Sequence, residues 1–102
     1  MNHTLNNITI VCYDITSDKL RREIDKCMKD FGIRVQYSVF LCSLDSVDIE
    51  RCRDRLLKVL NKYDDKKEAN DSLIIFGRVK QSNIDCLLGN VEEQNISKFL
   101  IL

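Results

Sequence analysis

The sequence predicts an α+β fold, one antiparallel sheet carrying helices, with elements in the order strand, helix, strand, strand, helix, strand. Three observations predict it. Short β-branched runs alternate with stretches of helical periodicity. Each helical stretch opens on a capping residue, Ser or Asp. The strands carry apolar residues on both faces, where a sheet covered on one side only would alternate with polar ones.

The first strand is Ile8 to Ile15, a β-branched run that stops on Asp14. Thr16-Ser17-Asp18 then opens a helix, with Ser17 as N-cap. Leu20, Ile24, Cys27, Met28 and Phe31 recur on one helical face, which predicts a helix over 18–31 with Gly32 as its C-cap. Residues 33–44 are rich in strand formers and divide into a strand near 33–36 and another near 38–44. Asp45-Ser46 opens the second helix, with Asp48 three positions on. Ile49, Cys52, Leu56, Val59, Leu60 and Tyr63 form its apolar stripe, and Arg51, Arg53, Asp54, Arg55 and Lys58 read as a solvated face. A charged loop over 64–71 precedes a buried strand from Ser72 to Phe76, running on towards Val79. Lys80 to Asn83 is a turn, Ile84 to Leu88 a short further strand, and residues 90–95 a polar spacer before the apolar end Phe99 to Leu102.

This order is the ferredoxin-like βαββαβ arrangement with a C-terminal extension strand. The expected organisation is a single domain over 1–102, with a core over about 1–80 and an extension over 81–102 that packs on a second copy. Two helices cover one face of such a sheet. The other face carries apolar residues too, and the same face of another copy is the simplest cover, so a homodimer is expected.

Composition narrows the function. The chain has 102 residues, 44% of them hydrophobic and 31% charged, as in ordinary soluble domains. No apolar run approaches a membrane span, and Met1 to Asn7 lacks the features of a signal peptide, so a cytoplasmic protein is expected. The five cysteines form no C-x-x-C pair and read as small buried hydrophobes in a reducing compartment. His3 is the only histidine, which argues against a histidine-based triad. Formal net charge is zero, which argues against coating nucleic acid by bulk charge but leaves room for a local basic patch.

A carboxylate at the end of a buried strand, just before a helix, is a common place for chemistry in α/β proteins. Asp14 occupies that place, as a group for chemistry or as a cap for the helix. Arg21 and Arg34 offer guanidinium groups that match phosphate oxygens, or they form surface ion pairs.

Tyr13-Asp14-Ile15, the helix carrying Arg21-Arg22, and the run Gly32-Ile33-Arg34-Val35-Gln36-Tyr37-Ser38-Val39-Phe40 together resemble the CRISPR-associated Cas2 family. The resemblance covers roughly residues 8–76. It implies a ferredoxin-like homodimer packed sheet to sheet, with the C-terminal strand crossing to the partner copy. It implies that Asp14 from each copy meets at one Mg²⁺ site, with Tyr13, Asp14 and Ser38 as catalytic residues and Arg21, Arg22 and Arg34 on nucleic acid. The activity implied is Mg²⁺-dependent cleavage of RNA or double-stranded DNA. The implied partners are the CRISPR integrase subunits that insert new spacers. A non-catalytic dimeric scaffold that bridges those subunits and contacts DNA is the alternative. Two positions depart from the pattern: Leu41 stands where many members have Glu, and Glu23 where a basic residue is sometimes found.

Overall fold

The computed structural model describes residues 7–89, and the expected C-terminal strand lies outside them. The elements are β1 (Asn7–Asp14), α1 (Asp18–Lys29), β2 (Ile33–Gln36), β3 (Val39–Cys42), α2 (Ser46–Lys62) and β4 (Ser72–Lys80). The four strands form one antiparallel sheet in the order β2-β3-β1-β4, which places β1 between β3 and β4. This is the ferredoxin-like arrangement expected from the sequence.

Both helices are held at their start by side chains. Ser17 Oγ accepts from the Leu20 N–H at 3.2 Å, and an Asp45 carboxylate oxygen accepts from the Asp48 N–H at 2.8 Å. The periodic face of α1 is fully buried: Leu20, Ile24, Cys27, Met28 and the following Phe31 join Val11, Tyr13, Phe40 and Cys42 in one core. From α2, Cys52 and Leu56 enter the same core, with Val59, Leu60 and Tyr63 packed against it. Each buried aliphatic side chain of this kind contributes about 1.5–3 kcal/mol of transfer free energy.

Gly32 departs from its expected role. Asp30 is the C-cap of α1, and Gly89 is the only glycine with positive φ among the described residues. Gly32 is small for reasons of space: a Cβ there would run into the Leu41 carbonyl oxygen and the Cys42 sulfur. The chain therefore passes from α1 into β2 directly against β3.

Strand alternation assigns the two faces. Val11 and Tyr13 on β1, Phe40 and Cys42 on β3, and Leu73 and Ile75 on β4 face the helices. Ile8, Ile10, Cys12 and Asp14 face the other way, in register with Leu41 and Val39 on one side and with Phe76, Ile74 and Ser72 on the other. On that second face Ile8 and Leu41 are buried, with Ile10, Ile33, Val35 and Ile84 packed against them. Ile74 and Phe76 remain 48% and 49% exposed.

Residues 84–88 do not form the expected strand. After a short 3₁₀ turn at Gln81–Asn83, Ile84 packs against Ile8 and Leu41 on the second sheet face. The segment is thus drawn onto the face instead of along a strand edge, and Leu87 and Leu88 are left more than 90% exposed. Near the end of β4 the register with β1 shifts between Ile8 and Ile10, and Arg78 takes a left-handed φ of 58° at this bulge.

The cysteine expectation holds for three positions. Cys27, Cys42 and Cys52 are buried, Cys12 is partly buried and Cys86 is exposed, all as free thiols. Burial pushes the Cys42 thiol up to about 12 and the Cys52 thiol to about 11, so both stay protonated and unsuited to nucleophilic work. No helix among the described residues is long and apolar enough to cross a membrane.

Candidate functional site

Asp14 ends β1 on the face that neither α1 nor α2 covers, opposite Ser72. Its side chain is exposed and makes no hydrogen bond or ion pair among the described residues. Helix capping is done by Ser17, so the structural role weighed for Asp14 falls to another residue. What remains is a free carboxylate on an ordered strand end.

The loop that follows Asp14 is fastened from across the sheet. The Thr16 N–H and the Thr16 hydroxyl both donate to Asp71 Oδ1 at 2.9 Å, and the Glu68 N–H donates to Asp71 Oδ2 at 2.9 Å. The two Thr16 bonds and the Glu68 bond hold the Asp71 carboxyl below the usual carboxylate range. Asp71 immediately precedes Ser72, the β4 residue in register with Asp14, so the two loops at this end of the sheet are tied together.

Tyr13 points the other way. It is 5% exposed, and its hydroxyl donates to Asp25 Oδ1 on α1. Its ring stacks near that of Phe40, with centroids 6.4 Å apart. Burial, then the Asp25 hydrogen bond, push the phenol well above its ordinary range, which leaves it protonated. Tyr13 and Asp14 are adjacent in sequence and lie on opposite faces of the sheet.

Ser38 lies in the turn between β2 and β3, and its carbonyl accepts from the Tyr13 N–H at 3.0 Å. The backbone of Ser38 thus abuts the end of β1. Leu41, where a second carboxylate is often found in the family resembled, is buried against Ile8.

The three arginines differ. Arg34 pairs with Asp25 Oδ2 at 3.1 Å, donates to the Tyr37 carbonyl at 3.3 Å and lies over the Phe40 ring at 5.3 Å. Arg21 pairs with Asp18 at 2.7 Å, lies over the Tyr37 ring at 5.4 Å, and its side chain is only 17% exposed. Arg22 is exposed and makes no ion pair among the described residues. Glu23 bridges Lys19 and Lys26 at 3.3 and 3.2 Å. The ion-pair reading weighed for Arg21 and Arg34 is what the side chains do.

Asp25 and Asp71 escaped the sequence reading. Asp25 carries the one available signal, an acid beside the buried Ile24 on the shoulder of an amphipathic helix. Asp71 sits among charged loop residues and carries none.

Comparison with known proteins gives the family and the fold. The profile described as CRISPR associated protein Cas2 matches residues 7–84. The chain belongs to the Cas2 family. Its relatives include a CRISPR-associated endoribonuclease Cas2 from Thermodesulfovibrio yellowstonii, 37% identical over 57 residues, which are 55% of this chain and 63% of the relative. Another, from Synechocystis sp., is 43% identical over 61 residues, 59% of this chain and 66% of the relative. The matched part is thus somewhat under two thirds of these Cas2 relatives. Among solved structures, Streptococcus pyogenes Cas2 at pH 6.5 superposes with a TM-score of 0.59 and 27% identity, covering 78% of this chain and 98% of that one. A hypothetical protein from Thermus thermophilus superposes with a TM-score of 0.66 and 31% identity, covering 83% and 95%.

Against this family background the metal question turns on donors. Among the described residues no three His, Cys, Asp or Glu side chains cluster as a metal site. Among its described residues, one copy of this Cas2-family chain therefore offers a single free carboxylate at the strand end, and a hard cation held there takes further donors from a second copy or from water.

Proposed function

We propose that the protein is a homodimeric, Mg²⁺-dependent endonuclease of CRISPR adaptation, with Asp14 from each copy supplying the metal ligands. The observation that carries this reading is the state of Asp14. It is exposed, without a hydrogen bond or ion pair among the described residues and free of capping work, on a sheet face that still shows Ile74 and Phe76 to solvent. The endoribonuclease names of its relatives support a phosphodiester as substrate.

Covering the open face with the same face of a second copy buries Phe76 and Ile74 and brings in a second Asp14. Mg²⁺ retains several waters and commonly takes one or two protein carboxylates, so the paired donor set suits it. Bound there, Mg²⁺ supplies Lewis-acid polarisation of a phosphoryl oxygen and a more acidic bound water. The chain's own residues set the stage. Asp71 holds the loop after Asp14, the Ser38 carbonyl fixes the strand end through Tyr13, and the exposed Arg22 offers a cation to phosphate. Tyr13 acts as support for α1 and not as an acid or base.

The single free carboxylate at the strand end among the described residues, with Arg21 and Arg34 already in ion pairs, favours a second reading. In it the dimer serves as a scaffold that bridges the CRISPR integrase subunits during spacer acquisition and contacts DNA without cutting it. The test is cleavage of labelled single-stranded RNA and double-stranded DNA by the purified dimer, with Mg²⁺ and with chelator. Cleavage that needs Mg²⁺ supports the enzyme. No cleavage of either substrate, with the integrase still captured, supports the scaffold.

A further inference from the structure

The turn between β2 and β3 carries an aromatic ring that the fold does not use. Tyr37 is 69% exposed and belongs to neither hydrophobic cluster. Nevertheless its position is fixed from two sides. Arg21 lies over the ring at 5.4 Å and is itself anchored to Asp18 at 2.7 Å. Arg34 donates to the Tyr37 carbonyl at 3.3 Å and is itself anchored to Asp25 at 3.1 Å. Two salt-bridged arginines thus hold an outward aromatic side chain and its backbone.

We propose that Tyr37 is a stacking platform for an unpaired nucleobase, held in place by Arg21 and Arg34. The inference rests on the reading that this chain acts on nucleic acid, and it names the residue that would distinguish single-stranded from paired substrates. Every base presents a π-face, so an exposed aromatic ring grips single strands with little regard to sequence. Bases in a duplex are stacked on each other and cannot use it. A ring already fixed by a guanidinium loses less freedom on binding than a free one. The place suits the chemistry: the Ser38 carbonyl, next in the turn, accepts from the Tyr13 N–H at 3.0 Å, so the platform and Asp14 share one end of the sheet. Arg22, next to Arg21 in the chain, is exposed.

The test is fluorescence anisotropy with labelled single-stranded RNA, single-stranded DNA and duplex DNA of equal length. It compares wild type, Tyr37→Ala and Tyr37→Phe, with sedimentation of each in parallel. Stacking predicts that Tyr37→Ala weakens binding of one or both single strands by about 5- to 150-fold. Duplex binding is unchanged, Tyr37→Phe binds as wild type, and all three sediment alike. The two single-stranded arms tell whether the sugar matters. Unchanged single-strand binding in Tyr37→Ala overturns the platform. So does an equal loss on duplex, or a loss that accompanies altered self-association. If wild type binds none of the three, the platform and the nucleic-acid reading fall together, whereas the other failures remove the platform alone.

Discussion

The Tyr13 hydroxyl donates to Asp25 on α1, while the neighbouring Asp14 points to the opposite side of the sheet. One residue step along β1 thus separates a buried, protonated phenol from a free carboxylate. The phenol and Arg34 share the same Asp25 carboxylate, so the network spans β1, α1 and β2. Tyr13→Phe removes one hydrogen bond to a charged acceptor and is expected to cost about 1.5–3 kcal/mol. Urea unfolding measures the loss. Any cleavage rate measured well below the melting temperature should match wild type, and a rate that collapses in a fully folded variant would instead place Tyr13 in the chemistry.

Gly32 is a second structural determinant. Its missing Cβ leaves room for the Leu41 carbonyl and the Cys42 sulfur. The carbonyl belongs to an internal strand and cannot retreat. Gly32→Ala is therefore expected to destabilise by about 1–3 kcal/mol through overpacking, read as a lower urea midpoint with unchanged slope.

Asp71 links stability to pH. Its carboxylate accepts from Thr16 and from the Glu68 N–H, and its folded pKa lies below the unfolded value. The stabilisation it gives is complete above the unfolded carboxylate value of about 3.9 and fades as pH falls through the lower folded value. Wild type and Asp71→Asn should accordingly differ in urea midpoint at neutral pH, and the difference should close on acidification. A gap that stays constant down to about pH 2 would show that charge at Asp71 does nothing.

Much of this was legible in the chain. The spacing of Leu20, Ile24, Cys27 and Met28 defined α1 and its buried face. Apolar residues at successive positions of β1, Val11 beside Cys12 and Ile10, pointed to a sheet with two apolar faces. Strand alternation also carries information that motif reading passes over, since it puts Tyr13 and Asp14 on opposite faces. Other features depended on tertiary placement. The Ile84 run has strand composition, but packing on Ile8 and Leu41 draws it onto the sheet face. Asp71 owes its role to loops that meet only in the fold, and Gly32 owes its identity to a neighbour on β3 and not to its own φ.

In the proposed dimer the open sheet face carries self-association. Phe76 is 49% exposed, so Phe76→Glu leaves the fold of one copy intact. Buried without a partner at a dimer interface, the new carboxylate costs several kcal/mol. Sedimentation should show wild type as a dimer and Phe76→Glu as a monomer, with cleavage lost in the monomer. A monomeric variant that cleaves as wild type would mean that each copy holds a complete site.

The most direct measurement is the Mg²⁺-dependent cleavage rate of Asp14→Ala beside wild type from the same purification. Asp14 makes no hydrogen bond or ion pair among the described residues, so its loss should leave folding and dimerisation unchanged. The predicted result is cleavage reduced to the level that wild type shows in chelator, with identical sedimentation and melting. Metal-dependent cleavage that persists in Asp14→Ala at the wild-type rate would contradict the account.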